Sequence, residues 1–424
     1  MIKFLIKGLL RDRSRSLFPV LTVSSGVFLA VVLYSFMNGV IADMINSTAR
    51  YQTGHVKVMT QAYAEESNQM PNDLALTGIN EITQTLKDNY PDMIWTARIK
   101  FGGLLDIPDE KGETKDQGPV TGLAVDLFSP SSPEWDLLRI EKSIIRGRIP
   151  VERGEILIGD EFAGKLDIAP GDTATLISST MFGSMAIYNF KIAGTVRFGI
   201  SAMDRGAILA DIADIQEALD MQDTAGELLG YFPDNIYNDE KAAEIAASFN
   251  RQFKDPDDRF SPIMRTLPVE SGLSDYIAMI DSMGVIIVSI FIAAMSIVLW
   301  NSGLMGSLRR YGEIGVRLAV GENKTHIYKT LILESLFIGI FGSVIGTAAG
   351  TGVSYLMQIY GIDYGYLMKN SSMMISNVYR AKVSTGSFFI GFIPGIVSTV
   401  LGASIAGTGI YRRQTASLFK ELEV

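Results

Sequence analysis

Four long apolar runs constrain this chain more than any other feature. Each exceeds the roughly 20 residues that an α-helix needs to cross the hydrocarbon core of a bilayer. A polar stretch, about residues 46–272, separates the first run from the second and is large enough to bury a core of its own. The sequence therefore predicts a membrane protein with four transmembrane α-helices and a large α+β extracytoplasmic domain. The runs are Leu17–Ile41, Tyr276–Met305, Leu331–Met357 and Gly386–Ile410.

The distribution of lysine and arginine predicts the orientation, because loops rich in these residues stay on the cytoplasmic side. The flank before the first run carries five such residues, and so does the segment Arg309–Lys329 between the second and third runs. We therefore expect both termini and the segment Arg309–Lys329 in the cytoplasm, and the large domain on the outer side of the membrane. The first run is expected to stay as an anchor, since it is too long for the apolar core of a signal peptide.

These observations divide the chain into nine segments. The polar domain is expected to contain an inserted second lobe at about 150–230, because a new run of strands follows the turn near Pro150. The segments are a cytoplasmic flank (1–16), helix one (17–45), the periplasmic domain (46–272), helix two (273–305), a cytoplasmic loop (306–327), helix three (328–357), a short outer loop (358–384), helix four (385–410) and a cytoplasmic tail (411–424).

Within the polar domain, local patterns predict strands and helices in alternation. Gly54–Thr60 alternates as a strand does, and Ile79–Asn89 has the spacing of a short helix. A second helix is predicted over Pro133–Ile145. Glu155–Gly159 is a predicted strand, with Asp160 as the N-cap of the helix that follows.

Composition excludes several classes of function. The stretch 46–272 holds 21 Lys+Arg and 36 Asp+Glu, so a nucleic-acid partner is disfavoured. The chain has no cysteine, which excludes disulfides and thiol chemistry. No phosphate-binding loop of the G-x-x-x-x-G-K-[ST] type occurs, so we expect any ATP to be bound by a separate subunit. Only two histidines exist, His55 and His326, and both are interpreted as surface or interface residues, with no metal site and no catalytic residues.

The charged segment Arg309–Lys329 contains the main candidate site. Glu313 and Arg317 are spaced i,i+4 in the order that stabilises a helix, and Ile314 and Leu318 share one face. Gly321 suits the left-handed position that ends a helix. We expect an amphipathic helix that another protein contacts, although a simple turn between two spans is the alternative. Its residues are Glu313, Ile314, Gly315, Arg317, Leu318, Ala319 and Gly321.

Two weaker candidates lie in or beside the spans. Glu334 lies in the first turns of the third run, where a carboxylate is costly. It either pairs with another group in the helix bundle or reaches the cytoplasmic headgroups. Methionine-rich ends of the first two helices could line a cavity for a lipid-like substrate, and ordinary packing is the alternative. This second set comprises Met37, Val40, Ile41, Met44, Tyr276, Met279 and Met283.

Glycines four residues apart predict close packing between helices in the membrane. Gly342, Gly346 and Gly350 form one such series in the third run, and Gly391 and Gly395 form another in the fourth. Pro394 is expected to kink the fourth helix.

The order of segments and one motif resemble a known family. Residues 313–321 read E-I-G-V-R-L-A-V-G, which fits the E-I-G-x-x-x-A-x-G coupling helix of MacB/FtsX-type ABC transporter permeases. Within that family the chain looks most similar to the lipoprotein-releasing (Lol) permeases. The residues that carry this similarity are Met37–Gly39, Gly154–Gly159 and Gly206–Ala210. The loop Ser179–Asn189 lies where one Lol permease has a proline-rich hook, but here it contains no proline.

The resemblance implies a fold and a set of partners. The outer domain would be a porter-like lobe split by the inserted lobe. Two permeases, of the same or related chains, would associate in the lipid bilayer with a pair of ABC ATPase subunits docked on the coupling helices. ATP and Mg²⁺ would be bound by those ATPases, and no cofactor by this chain.

The resemblance also implies a mechanism and possible cargoes. Motion driven by ATP would be transmitted across the membrane to the periplasmic domain. The substrate would be a membrane lipoprotein, passed to a periplasmic chaperone or adaptor. Two alternatives are the efflux of peptides, toxins or drugs from the periplasm, and the control of a cell-wall hydrolase.

Overall fold

The computed structural model describes residues 13–109, 111–199, 201–274, 285–286, 288–301, 316–363 and 378–408. These residues fall into two units. The polar unit contains residues 43–274, and the helical unit contains residues 13–42 and the described residues from 285 onward.

The described helices are numbered in chain order. They are α1 (Arg13–Thr48), α2 (Gln61–Glu65), α3 (Ile79–Asn89), α4 (Glu134–Leu137), α5 (Ile140–Ser143), α6 (Asp160–Lys165), α7 (Ser201–Asp204), α8 (Ile212–Ala218), α9 (Asp239–Phe253), α10 (Leu267–Ser271), α11 (Val288–Asn301), α12 (Lys324–Tyr360), α13 (Thr385–Phe389) and α14 (Phe392–Gly407). A π-helical turn, Ala49–Thr53, follows α1, and 3₁₀ turns occupy Ser67–Gln69 and Asn72–Leu74.

The strands are numbered in the same way. They are β1 (Val56–Thr60), β2 (Leu76–Thr77), β3 (Ile94–Pro108), β4 (Thr114–Val125), β5 (Ile144–Gly147), β6 (Glu155–Gly159), β7 (Thr173–Ser179), β8 (Met185–Val196), β9 (Ala207–Asp211), β10 (Thr224–Ala225), β11 (Glu227–Tyr231), β12 (Pro262–Thr266), β13 (Ile362–Asp363) and β14 (Val378–Tyr379).

Three helical segments among the described residues are long and apolar enough to cross a membrane. They are Leu17–Thr53, Lys324–Tyr360 and Thr385–Gly407, and they cover the first, third and fourth runs of the sequence. The second run is described only in part, as the shorter apolar helix α11. A membrane crossing by the second run, and with it the total of four transmembrane helices, therefore stays a prediction.

Glycines of α12 allow α1 to approach closely in the helical unit. A Cβ atom on Gly342 would lie 2.7 Å from the Cβ of Val23, and a Cβ on Gly346 would lie 2.6 Å from the carbonyl oxygen of Ser24. Gly350 faces Val31 in the same way, at 2.9 Å. Val27 lies 2.8 Å from the same position on Gly346, so Val23, Val27 and Val31 recur every four residues, as the glycines do. The predicted packing role of the Gly342, Gly346 and Gly350 series is thus confirmed.

The fourth apolar segment also packs through glycine. A Cβ on Gly391 would lie 2.6 Å from Val27 Cγ1, and one on Gly395 would overlap the hydroxyl of Ser343. The helix is interrupted between α13 and α14, at residues 390–391. Pro394 explains the break, since it has no N–H to donate to the carbonyl of residue 390, four positions earlier.

Strands from the beginning and the end of the polar unit form one four-stranded antiparallel sheet. Its strand order is β12-β1-β11-β3, with α3 following β1 and α9 preceding β12 along the chain. Numbered within this lobe, the order is 4-1-3-2, which is the split β-α-β arrangement of ferredoxin-like folds. We call this part the sheet lobe.

The second lobe is a closed six-stranded barrel. Strand pairing runs β3-β4-β9-β6-β8-β7 and returns from β7 to β3, so each barrel strand has two neighbours within the barrel. β5 pairs in addition with β8. The pairs β4–β9 and β6–β8 are parallel and the others are antiparallel. Closure removes the exposed strand edges that an open sheet would present. The main hydrophobic core extends through both lobes, and two smaller clusters lie beside it.

The inserted lobe begins earlier than the sequence suggested. β3 belongs to both lobes, since residues 94–98 pair with β11 and residues 99–108 pair with β4. The barrel thus starts near Ile99, and the predicted start near residue 150 is wrong. The sequence could not reveal this, because one uninterrupted strand serves both lobes and no local signal marks the change of partner.

Two local predictions also fail for identifiable reasons. The helix expected over Pro133–Ile145 is divided into α4 and α5 at Arg139, whose φ is +52°. Asp160 does not cap α6; its carboxylate accepts hydrogen bonds from Arg146 and Thr195 instead. For Asp160, tertiary contacts override a local preference.

The close packing of α1 and α12 gives a first prediction. Gly346→Ala adds a methyl group where no space exists, so we expect the free energy of unfolding to fall by about 1–3 kcal/mol. Gly352→Ala in the same helix is the control, because its Cβ meets no atom within 4 Å. Thermal unfolding of both variants in lipid nanodiscs measures the difference. Equal midpoint temperatures would contradict the packing shown here.

Candidate functional site

The charged segment between the second and third runs ends in a well-defined helix stop. Residues 316–319 are helical. Beyond them, the N–H of Gly321 bonds the carbonyl of Leu318 at 3.1 Å, and the N–H of Glu322 bonds that of Arg317 at 3.0 Å. Gly321 has a φ of +95°. This pair of bonds is the Schellman arrangement, so Gly321 ends the helix as the sequence predicted.

An apolar face is exposed on the same helical turn. Val320 is 83% exposed and Val316 is 57% exposed, and Ala319 beside them is also exposed. Residues at spacings of three and four lie on one face of a helix. Arg317 and Leu318 are half-buried. Glu313, Ile314 and Gly315 lie outside the described residues, so the predicted pair of Glu313 with Arg317 stays a prediction.

Glu322 connects this turn to the start of α12. Its carboxylate lies 3.9 Å from Arg317 Nε and 2.7 Å from His326 Nδ1. Asn323 caps α12 by accepting a hydrogen bond from the N–H of Thr325 at 3.1 Å. The exposed face is therefore held by short-range contacts to the first turn of a 37-residue helix.

The methionine-rich set is described only in part. Met37, Val40, Ile41 and Met44 lie on one face of α1 by their spacing, and all but Met44 are half-buried. Tyr276, Met279 and Met283 lie outside the described residues. A cavity formed by the two groups remains a prediction.

Glu334 lies in the third turn of α12, about 15 Å along the axis from the first residue of that helix. Its side chain is half-buried. Because α12 begins at Lys324, seven residues before the predicted run, Glu334 is deeper in the helix than the sequence indicated. Its role in the bundle stays a prediction.

The two histidines have different environments. His326 is largely exposed, as expected. His55 is buried, so its interpretation as a surface residue is wrong. Its Nδ1 accepts a hydrogen bond from the N–H of Phe232 at 3.0 Å, and its ring contacts those of Tyr231, Phe232 and Tyr237. Burial lowers the pKa of His55 to about 4, against a small opposing effect of Asp234.

Sequence reasoning missed a group of buried charges in the sheet lobe. Lys57 on β1 lies 2.8 Å from Glu227 and 3.2 Å from Glu270. Lys100 on β3 lies 2.9 Å from Glu227. The sequence predicted an alternating strand over Gly54–Thr60, but every residue of β1 is buried. The sequence feature that could have indicated a buried charge is a lysine flanked by two valines within a predicted strand.

The carboxylate of Glu227 stays ionised in this environment. Burial by itself would raise its pKa, but the charges of Lys100 and Lys57 outweigh that effect and lower the pKa to about 2. A second buried pair, Arg98 and Glu134, has no exposed side-chain surface at all. Among the described residues no cluster of metal-binding side chains occurs.

The part of the chain that contains the exposed turn matches a known protein family. Residues 285–415 match the FtsX-like permease C-terminal domain. That domain includes α11, α12, α13 and α14 together with the turn at residues 316–321.

Relatives of the chain are named as permeases and exporters. An uncharacterized ABC transporter permease of Methanocaldococcus jannaschii is 29% identical over 164 residues, covering 38% of this chain and 39% of that protein. The ABC transporter permease YtrF of Bacillus subtilis is 24% identical, covering 53% and 58%. The macrolide export ATP-binding/permease protein MacB of Wolinella succinogenes is 32% identical, covering 24% and 16%.

These matches cover less than two thirds of each relative's length. Among solved structures, the periplasmic region of MacB from Actinobacillus actinomycetemcomitans is similar with a TM-score of 0.35 and 9% identity. That match covers 52% of this chain and 92% of the solved one.

Burial of His55 gives a prediction about pH. In the unfolded chain its pKa is near 6.5, so between pH 6.5 and 4 the unfolded state binds more protons than the folded state. Lowering the pH across this window should therefore reduce the free energy of unfolding by about 3 kcal/mol through His55. Above pH 6.5 this contribution is complete.

The measurement compares variants of the full chain in nanodiscs. Urea unfolding from pH 7 to pH 4.5 should show a smaller pH dependence for His55→Gln than for the wild type. His326→Gln, which removes an exposed histidine, should keep the wild-type dependence. Parallel curves for wild type and His55→Gln would show that His55 is protonated equally in both states.

Proposed function

We propose that this chain is the permease subunit of an ABC transporter, and that it receives the motion of a separate ATPase at the turn formed by residues 316–321. The FtsX-like permease domain carries this proposal, and the names of two relatives as ABC transporter permeases support it. The exposed Val316 and Val320 supply an apolar face at the position where the E-I-G motif predicts a coupling helix.

The rest of the assembly follows from the same proposal. A pair of ATPase subunits would bind ATP and Mg²⁺, and a second permease of the same or a related kind would complete the membrane part. The distribution of Lys and Arg supports an inner-membrane position with both termini in the cytoplasm and the polar unit in the periplasm. Motion imposed on the turn would then reach a domain on the opposite side of the membrane.

Docking at the exposed face leads to a direct prediction. Val320→Glu introduces a charge into the apolar contact, so we expect the affinity for the ATPase subunit to fall by about tenfold or more. Val151→Glu is the matched control, because Val151 is 63% exposed but lies in the polar unit. Co-purification of the ATPase with the tagged chain, followed by a titration of binding, measures the effect.

Two outcomes would count against this assignment. Retention of the ATPase by Val320→Glu at the wild-type level would place the docking surface elsewhere. An equal loss with Val151→Glu would indicate a general defect in assembly.

We propose that the transporter releases lipoproteins from the membrane. Removing acyl chains from a bilayer costs about 0.8 kcal/mol per CH₂, so several chains require tens of kcal/mol and hence a coupled energy source. The apolar face of α1 that carries Met37, Val40 and Ile41 could shelter such chains. Efflux of peptides, toxins or drugs from the periplasm is the second candidate, and the naming of several relatives as macrolide exporters favours it. Control of a cell-wall hydrolase is a third.

Depletion of the chain from cells distinguishes these candidates. If lipoproteins are the substrate, they should accumulate in the inner membrane, as measured by fractionation of the two membranes. Unchanged sorting together with greater sensitivity to macrolides or peptides would favour efflux instead. Unchanged sorting and sensitivity with altered cell-wall hydrolysis would favour the third candidate.

A further inference from the structure

The π-helical turn Ala49–Thr53 continues from the C-terminal end of α1 and belongs to the polar unit. The last carbonyl groups of a helix have no partner within the helix and carry a partial negative charge. Such groups require donors, and cations satisfy them best. The side chains that donate to these carbonyls therefore show how the end of α1 is attached to the sheet lobe.

Three side chains of the sheet lobe donate hydrogen bonds to carbonyls of this turn. The hydroxyl of Tyr231 on β11 donates at 3.0 Å to the carbonyl of Ala49, which also accepts the N–H of Gly54 at 2.9 Å. On β3, the Nη1 group of Arg98 donates to Arg50 at 2.6 Å, and Nζ of Lys100 donates to Gln52 at 3.3 Å. We call Tyr231, Arg98 and Lys100 the carbonyl clamp.

Both cations of the carbonyl clamp are fixed by buried carboxylates. Arg98 makes a bidentate pair with Glu134, with Nε and Nη2 each 2.8 Å from a carboxylate oxygen. Lys100 shares Glu227 with Lys57. An Arg–carboxylate fork holds the guanidinium in one orientation, so the donor aimed at Arg50 is also held in place.

The second segment that connects the polar unit to a predicted span joins the same network. α10 directly precedes the second apolar run, and its Glu270 lies 3.2 Å from Lys57 and 3.3 Å from Arg265. The N–H of Leu267 donates to the carbonyl of His55 at 3.2 Å. Lys57 therefore bridges Glu270 on the outgoing segment and Glu227 on the central strand β11.

We propose that the carbonyl clamp is the joint through which movement of the end of α1 is passed to the sheet lobe. This inference rests on the proposed function, because it assumes that α1 moves when ATP is hydrolysed. Buried ion pairs add little net stability compared with apolar side chains of similar size. Several buried charges gathered at the end of one helix are therefore better explained by directional attachment of its carbonyls than by stability alone.

The test uses variants that weaken the clamp without leaving an unpaired buried charge. Tyr231→Phe removes one donor, and Lys100→Met removes another while Glu227 keeps Lys57. Arg98→Met is unsuitable, since Glu134 would be left buried and alone. The controls are Tyr237→Phe, which removes a hydroxyl bonded to Asp239, and Lys115→Met, which removes a partly exposed lysine from the exposed Asp167.

The first measurement is hydrogen exchange of the full chain in nanodiscs, without any ATPase. Peptides that cover residues 49–53 should exchange about tenfold faster in the double variant Tyr231→Phe/Lys100→Met. Each control should leave these peptides unchanged. Wild-type exchange in the double variant would overturn the clamp itself.

The second measurement follows the response to ATP in the assembled transporter. Because the chain has no cysteine, Lys87→Cys in the polar unit and Tyr360→Cys at the end of α12 are the only spin-label sites in each copy of the chain. We expect the distance between the labels to change with ATP and vanadate in the wild type and both controls. The double variant should lose this change while it still binds the ATPase.

The outcomes separate the clamp from the proposed function. A wild-type change in the double variant would overturn the coupling role. If both controls also lost the change in label distance, the effect of the double variant would be a general structural defect. That result would overturn the coupling role as well. No change in the wild type would contradict the proposed function and with it the coupling role, whereas the hydrogen-exchange result would stand independently.

Discussion

The ion pair between Arg98 and Glu134 has no exposed side-chain surface, and the organisation of the polar unit depends on it. Arg98 lies on β3, the strand that pairs with the sheet lobe through residues 94–98 and with the barrel beyond them. A single guanidinium thus joins the shared strand, the helix α4 that carries Glu134 and the carbonyl of Arg50. Removing either charge would leave the other buried without a partner, at a cost of about 3–5 kcal/mol.

The helical unit is held together by a different kind of interaction. Lipid tails are as apolar as leucine, so helices in a membrane associate through close van der Waals packing rather than through the hydrophobic effect. Gly342, Gly346 and Gly350 supply that packing against the valines of α1. A repeat of four residues on both helices keeps the contact continuous over several turns. This explains why the glycine spacing could be interpreted correctly from sequence alone.

Features set by neighbouring residues were predictable, and features set by distant partners were not. The bounds of α3, Ile79–Asn89, and the helix stop at Gly321 follow from local patterns, and the structure has both. The closed barrel was missed because its closure depends on the pairing of β3 with β7, strands separated by many residues. The strand Glu227–Tyr231 was missed for a related reason: all its residues are buried, so it shows no alternation. Similarly, the candidate coupling turn could be predicted because a local sequence motif marks it. The buried charges could not be predicted, because no local motif marks them.

Under the proposed function, these interactions form one mechanical sequence. The exposed turn is tied by Glu322 to the first turn of α12, and α12 contacts α1 along the glycine series. An α-helix resists extension, since each turn is closed by its own hydrogen bonds. A displacement of α12 would therefore be imposed on α1 through steric contact, and α1 leads into the carbonyls that Arg98 and Lys100 bind. Each step uses contacts that cannot stretch without breaking, which is what the transmission of force across a membrane requires.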